Sequence, residues 1–218
     1  MSGPSRRTLA RRLESIEDFS EPSVRLEQYL TPAELAAHLC HLAGLQGDFE
    51  RRVVDLGTGT GMLAIAASLA GADRVAGIDL DAGALEVARR NERAVAGGGG
   101  DGGSRDYPIE WFRGDVSRHP FSLADATVLS NPPFGAQRGN RHADRAFLET
   151  AREIGAVSYT IHNEGSQAFV ESFADDEGGS VTHAFRAEFP IPKRFEFHTA
   201  AQETLEAEVF RIEWSSRK

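Results

Sequence analysis

The chain has 218 residues, a net charge of −9 and one cysteine, Cys40. A chain of this length buries about 70% of its unfolded surface in one domain, so it needs neither a disulfide nor a metal to fold. A single cysteine excludes an internal disulfide. No apolar run approaches the length of a membrane span, about 18 residues, and the N-terminal sequence lacks the apolar core of a secretion signal. We therefore expect one cytoplasmic domain that does not associate with a membrane.

The charge balance lacks the basic excess expected of a protein that neutralises nucleic-acid phosphates. The sequence has 33 acidic and 24 basic residues, and among the bases only Lys193 and Lys218 are lysine. Two interpretations fit this composition: a substrate other than nucleic acid, or an acidic background typical of a salt-loving host with a GC-rich genome. The motifs described below favour the second.

Short apolar runs alternate with helical stretches along the chain, which predicts a parallel sheet covered by helices. Predicted strands occupy residues 51–56, 74–81, 109–116, 125–134 and 156–162, and a hairpin-like pair follows near 180–189 and 205–213. Predicted helices occupy residues 62–71, 82–96, 143–155 and 164–176. The expected fold is α/β: a Rossmann-like domain over residues 25–218, with a mostly parallel seven-stranded sheet and helices on both faces, after an N-terminal extension over residues 1–24.

A glycine loop, GTGTG at 57–61, follows the first predicted strand and precedes a helix. Glycine allows a sharp turn close to a ligand, and the helix N-terminus presents free N–H groups. The spacing is G-x-G-x-G instead of the dinucleotide pattern G-x-G-x-x-G, which leaves room for an amino acid and a thioether in place of a pyrophosphate. The predicted cofactor-binding residues of this region are Asp55, Gly57, Gly59, Thr60, Gly61 and Met62.

Acidic residues close the next two predicted strands. Asp79 is placed to accept both hydroxyls of a ribose, and Asp115, followed by Val116, to meet the exocyclic amine of an adenine. Taken singly, each Asp could be a helix cap and each glycine a turn residue, but their joint order indicates a nucleoside site. The segments VVDLGTGTGMLAI and GIDLD resemble the core of the class I methyltransferases, which implies S-adenosylmethionine as the cofactor.

The sequence NPPF at 131–134 follows the fourth predicted strand. Its prolines stiffen the loop, so the Asn131 amide oxygen and the Pro132 carbonyl can accept both hydrogens of a planar amine while Phe134 stacks on its ring. Positioning then supplies most of the catalysis. The motif resembles the signature of amino methyltransferases, which act on adenine N6, cytosine N4 or a glutamine side chain; the alternative is a stiffened turn with a packing Phe. The predicted catalytic residues are Asn131, Pro132, Pro133 and Phe134.

Several segments together, LEQYLT, DLGTGTG, NPPFG, ADRAFL and YTIHN, resemble the ribosomal-RNA adenine-N6 methyltransferases of the methyltransferase-like 5 kind and their archaeal relatives. The resemblance runs from about residue 23 to the end. It implies that Gln28, Tyr29 and Thr31 close over the methionine end of the cofactor, and that the NPPF loop holds a flipped-out adenine of small-subunit rRNA. Two features depart from the family pattern: Leu30, where proline is common, and the glycine-rich insertion at 97–103.

RNA contact is predicted to come from local bases despite the net acidity. Arg138 and Arg141 follow the NPPF loop closely, and Lys193 with Arg194 lies near its expected rim. Arginine suits stacking and phosphate pairing alike. Each of these charges taken alone could equally be a solvated surface group.

A partner is predicted at the third strand, which lies at the sheet edge in this topology. Ile109, Trp111 and Phe112 make that strand apolar, and an unpaired apolar edge invites association. The family resemblance implies that a small zinc-binding activator subunit adds a strand there, forming a heterodimer. The alternative is that the aromatic side chains pack on a neighbouring helix.

Three rival functions remain open: a glutamine methyltransferase of a release factor, a DNA adenine methyltransferase, and a cofactor-binding scaffold without turnover. The first usually carries an N-terminal helical domain and the second a target-recognition insert. The intact NPPF loop argues against the third. His38, Cys40 and His41 invite a metal site, but His38 and Cys40 point to different faces of a helix, so we predict no metal.

Overall fold

Seven strands form one sheet in the computed structural model, which describes residues 3–97, 108–133, 143–192 and 202–215. The strands are β1 (Val53–Leu56), β2 (Val75–Asp79), β3 (Glu110–Arg113), β4 (Ala126–Ser130), β5 (Gly155–Asn163), β6 (Gly179–Pro192) and β7 (Gln202–Trp214). Their order is β3-β2-β1-β4-β5-β7-β6; the first five are parallel, and β7 is antiparallel to β5 and β6. The predicted α/β class, the seven strands and the late hairpin are confirmed.

The helices are α1 (Arg6–Leu13), α2 (Ala33–Leu45), α3 (Met62–Ala70), α4 (Ala82–Gly97), α5 (Ala143–Ile154) and α6 (Gln167–Asp176). They cover both faces of the sheet, which is why all the residues of β1 and β4 are buried. The pattern Thr31-Pro32 predicts a cap at Thr31, but Pro32 occupies the N-cap and the helix begins one residue later. The Thr31 hydroxyl is used elsewhere, in the site described below. Within the described residues, no helix has the length and apolar character of a membrane span.

The N-terminal segment contributes to the core. Helix α1 buries Leu9, Ala10 and Leu13 against α2 and α3, while its arginines lie on the outer face or at its end. Between α1 and α2, residues 14–32 cross the carboxyl ends of the parallel strands; we call this segment the strap. The part of the chain predicted as an extension is therefore packed on the domain.

Strand β3 lies at the sheet edge, as predicted, but its indole faces inward. Trp111 lies against Gly61 and Gly77, where an added Cβ would come within 2.8 and 2.7 Å of the ring. Its Nε1 donates to Glu92 Oε2 at 2.8 Å. The two glycines create the space that the indole fills.

The neighbouring apolar residues are also drawn into the core. Ile109 is buried, and Phe112 packs edge-on against Phe121 with ring centroids 5.3 Å apart. Among the described strands, β3 therefore presents its backbone at the sheet edge. The three side chains predicted as a partner surface are buried or partly buried within the domain.

Candidate active site

A cleft of about 470 Å³ opens at the carboxyl ends of β1 to β4. This is the usual ligand position in an open parallel sheet, and the volume suits a small-molecule cofactor. The walls come from the loops after these four strands, from α5 and from the strap. They comprise residues 26–31, 57–60 and 114–117 with Phe19, Met62, Asp79, Leu80, Asn131, Pro133, Ala146 and Phe147.

The glycine loop forms the floor of the cleft in a backbone conformation that favours glycine. Gly57, Gly59 and Gly61 have φ angles of 66°, 54° and 88°. An added Cβ at Gly57 would lie 2.8 Å from Phe147 Cε1, and one at Gly59 would lie 2.8 Å from Phe19 Cζ. Both the positive φ angles and the lack of room for a Cβ therefore require glycine at these positions. Gly61 caps α3, whose first residue, Met62, lines the cleft.

Asp55 lies beneath this loop with 1% of its surface exposed. Its Oδ2 accepts hydrogen bonds from Thr58 Oγ1 at 2.5 Å and from the Ala64 amide at 3.0 Å. Its Oδ1 is buried and has no hydrogen-bond partner among the described residues. Burial raises the pKa of Asp55 to about 7, so a cation held above the loop would stabilise its charged form.

Asp79 and Asp115 line the cleft at the predicted nucleoside end. Asp79 accepts the Gly59 amide at Oδ2 and the Asp81 amide at Oδ1, both at 2.8 Å. Burial raises its pKa. Asp115 accepts the Ser117 hydroxyl at 2.7 Å and amide at 2.9 Å, and these bonds lower its pKa. The two carboxylates are thus held in place by local amides, with Val116 buried beside them.

The strap brings the predicted methionine-end residues to the opposite wall. Gln28 accepts the Ser23 amide at 2.8 Å and donates from Nε2 to Asp81 Oδ2 at 2.8 Å, which lowers the pKa of Asp81. Burial raises the pKa of Tyr29 well above its usual value. Gln28, Tyr29 and Thr31 all line the cleft, together with Leu30 between them.

Asn131 connects the loop after β4 to this strap. Its Nδ2 donates to Thr31 Oγ1 at 2.9 Å. Its Oδ1 is buried and has no hydrogen-bond partner among residues 3–97, 108–133, 143–192 and 202–215. Pro132 is buried, and Pro133 lines the cleft. The predicted residues Phe134, Arg138, Arg141, Lys193 and Arg194 lie outside the described residues.

Sequence reasoning missed several residues of the site. Phe19 lines the cleft without belonging to any motif, and Phe147, which is part of the ADRAFL segment, lines it without a predicted role. Behind Asn131, Ser130 Oγ lies 3.1 Å from Thr160 Oγ1, which lies 2.9 Å from His162 Nε2. His162 packs edge-on against Phe210, and burial lowers its pKa to about 4, so the imidazole is neutral at physiological pH.

The described residues offer no ligand set for the metal site considered at His38, Cys40 and His41. Among the described residues, no group of three potential ligands lies together. Cys40 is buried and its Sγ lies 3.9 Å from the Leu63 carbonyl oxygen, while His38 stacks on Phe185 with ring centroids 4.2 Å apart.

In this sheet the antiparallel strand β7 lies between β5 and β6, and the cleft opens at the carboxyl ends of the parallel strands. This arrangement is that of a class I S-adenosylmethionine-dependent methyltransferase. The residues fit that cofactor. The glycine loop and Asp79 can hold its nucleoside. Asp55 Oδ1, which has no partner within the part of the chain that the structure describes, lies under the loop that would face its positive charge. When bound, the cofactor supplies an electrophilic sulfonium methyl group.

Known proteins place the chain within that class. A family model for ribosomal protein L11 methyltransferase matches residues 39–96. Protein MJ0284 of Methanocaldococcus jannaschii is 38% identical (92% of this chain, 90% of that protein), and the rRNA N(6)-adenosine-methyltransferase Mettl5 of Drosophila melanogaster is 32% identical over 95% of each chain. The crystal structure of PH1948 from Pyrococcus horikoshii, a candidate RNA methyltransferase, has a TM-score of 0.84 at 36% identity, with 97% of this chain and 98% of that chain covered. The chain belongs to the Mettl5 family, which confirms the resemblance of its motifs.

Proposed function

We propose that this enzyme transfers a methyl group from S-adenosylmethionine to the N6 amine of an adenine in small-subunit rRNA of the cytoplasmic ribosome. One observation carries the proposal: the side-chain oxygen of Asn131, in the loop after β4, has no hydrogen-bond partner among the described residues. Because Nδ2 is committed to Thr31, the amide presents its oxygen as an acceptor. An exocyclic amine is a donor that suits it.

The chemistry requires little more than positioning. Asn131 Oδ1 and the Pro132 carbonyl accept the two amine hydrogens, which favours a pyramidal nitrogen whose lone pair is free to attack. The prolines hold these acceptors in place because their φ angles are restricted. The proton displaced from the methylated nitrogen is strongly acidic and passes to water, so no buried base is needed. Proximity and preorganised hydrogen bonds supply the rate.

The length of the family match supports RNA over the rivals. The alignment with Mettl5 spans 95% of the chain, so it extends well beyond the cofactor core. A release-factor or DNA methyltransferase needs only the core and the NPP loop in common. Arg138, Arg141, Lys193 and Arg194 remain our predicted RNA contacts.

A small zinc-binding activator subunit is proposed at β3. The strand lies at the sheet edge, so its backbone can accept an added strand. Glu110 and Arg113 are its exposed side chains, whereas Trp111 and Phe112 are only partly exposed. The proposed contact therefore rests on backbone hydrogen bonds with a charged rim.

The test is methyl transfer from labelled S-adenosylmethionine to small ribosomal subunits that lack their native modification. Reactions run with and without the zinc-binding subunit, at low and high salt, and the RNA is digested to nucleosides. Label in N6-methyladenosine, lost in Asn131→Ala and retained in Thr127→Val, is the expected result. Label on a release factor or DNA instead of RNA would overturn the rRNA assignment, and no transfer to any substrate would favour a scaffold.

A further inference from the structure

The side chain of Asn91 on α4 is fully committed to backbone groups of two other segments. It is 1% exposed. Its Nδ2 donates to the Glu17 carbonyl at 2.9 Å and to the Thr60 carbonyl at 3.0 Å, and its Oδ1 accepts the Glu17 amide at 2.8 Å. Both amide hydrogens and the oxygen are therefore used. Glu17 belongs to the strap and Thr60 to the glycine loop, so one buried amide joins them.

This junction lies next to the place where the strap covers the glycine loop. Phe19, two residues beyond Glu17, has its ring over Gly59, the residue before Thr60: an added Cβ at Gly59 would lie 2.8 Å from Phe19 Cζ. Phe19 and Gly59 both line the cleft. The position of the Phe19 ring is thus set by the backbone position of Glu17, which Asn91 holds.

The rest of the strap is held at the far side of the cleft. Gln28 binds Asp81, and Thr31 binds Asn131. Between Phe19 and Gln28 the chain makes a short helical turn, Val24–Leu26, in which none of the residues is buried. Two buried side chains hold the near end of the strap: Ile16, which packs in the core, and Asn91, which binds the backbone of Glu17. Arg90 adds exposed contacts to Glu17 and Ser20.

We propose that Asn91 is a positioning residue for the cofactor: it holds the strap against the glycine loop so that Phe19 forms a wall of the cofactor cleft. Without it, the strap samples positions in which that wall is missing, and the apparent affinity falls with the fraction of molecules that are competent to bind. Transfer to RNA at saturating cofactor is unaffected, because Asn131 is held by a separate bond to Thr31.

Asn91→Ala tests the proposal in the full chain by calorimetric titration with S-adenosylmethionine, without RNA. The Kd is expected to rise about tenfold or more, since three hydrogen bonds of a buried side chain are lost. Hydrogen exchange at Glu17 and its neighbours should accelerate. In methyl-transfer assays the KM for the cofactor should rise while kcat stays within about twofold of the wild-type value.

Tyr159→Phe is the matched control. It also removes hydrogen bonds of a buried side chain, from Tyr159 to Asp48 Oδ2 at 2.7 Å and from Arg211 Nε at 3.0 Å, but none that touches the cleft. We expect it to lower the melting temperature and leave the Kd unchanged. An Asn91→Ala protein that is folded and binds the cofactor like wild type would overturn the proposal.

Phe19→Ala gives a second route if Asn91→Ala does not fold. Phe19 is only half-buried, so its truncation leaves the core intact. If the wall matters, Phe19→Ala weakens cofactor binding on its own, and in a folded double variant the two effects are less than additive. A Phe19→Ala variant that binds S-adenosylmethionine with wild-type affinity would also contradict the proposal. Both measurements are independent of the RNA substrate, so they stand whether or not rRNA is methylated.

Discussion

The hydrogen bond from Asn131 Nδ2 to Thr31 Oγ1, 2.9 Å long, joins residues 100 positions apart and orients the side-chain amide of the NPP loop. An amide can turn either its oxygen or its nitrogen towards a substrate. Since the nitrogen is occupied, the buried oxygen is the group left to accept from an amine. Thr31 thus links the strap to the predicted chemistry.

Thr31→Val should lower kcat by about tenfold to a hundredfold, because it removes the acceptor that fixes the Asn131 amide. The KM for S-adenosylmethionine should change less, and steady-state kinetics on the RNA substrate check both. Thr127→Val is the matched control, since it removes the 2.6 Å bond from a buried hydroxyl to the Asp48 carbonyl, away from the cleft. Equal activity in the two variants would contradict the role given to Thr31.

Asp55 makes the ligand-free protein less stable as the pH rises. Its folded-state pKa is about 7 and its unfolded value is about 3.9, so the folded state binds more protons between these values. Stability from this group is therefore present in acid and lost as the pH rises from about 4 to about 7. Asp55→Asn removes this titration. The free energy of unfolding of wild type should therefore fall relative to that of Asp55→Asn as the pH rises across that range, by at most about 4 kcal/mol.

Urea unfolding at several pH values between 5 and 8 measures that difference, and other titrating groups cancel because both proteins contain them. S-adenosylmethionine is expected to stabilise wild type more at pH 8 than at pH 6, since a nearby positive charge favours the ionised carboxylate. Parallel stability curves for wild type and Asp55→Asn would show that Asp55 does not titrate in this range.

The local parts of this fold could be predicted from sequence, and the links between distant segments could not. The apolar runs of β1 and β4, the glycine loop and the acidic strand ends are contiguous patterns, so their positions followed directly. Asn91 looks like an ordinary polar residue of a helix, because its partners lie 74 and 31 positions away. Trp111 looks like a surface residue of an edge strand, because the space that it fills is left by glycines of other elements.

His162 should make the protein sensitive to acid. Burial lowers its pKa to about 4, against about 6.5 when unfolded, despite the opposing charges of Asp144 and Glu208. The unfolded state binds more protons in this interval, so stability falls as the pH drops from about 6.5 to about 4. His162→Gln retains hydrogen-bonding atoms without titrating and should lose less stability, by up to about 3 kcal/mol at pH 4. Denaturant unfolding at pH 7 and at pH 4.5 measures the stability of wild type and His162→Gln. An equal loss of stability in the two proteins would exclude His162 as the source of the acid sensitivity.

Gly59→Ala combines backbone strain with a clash, and a second glycine separates the two effects. Gly59 has a φ of 54°, and an added Cβ would meet Phe19 Cζ at 2.8 Å. Gly178 has a φ of 74° but nothing within 4 Å of an added Cβ. Both alanine variants should lose about 1 kcal/mol from the left-handed conformation. Only Gly59→Ala should also displace Phe19 and weaken S-adenosylmethionine binding severalfold. Thermal melts and calorimetric titrations measure the two effects, and equal affinity in both variants would mean that the strap accommodates the methyl group without disturbing the cleft.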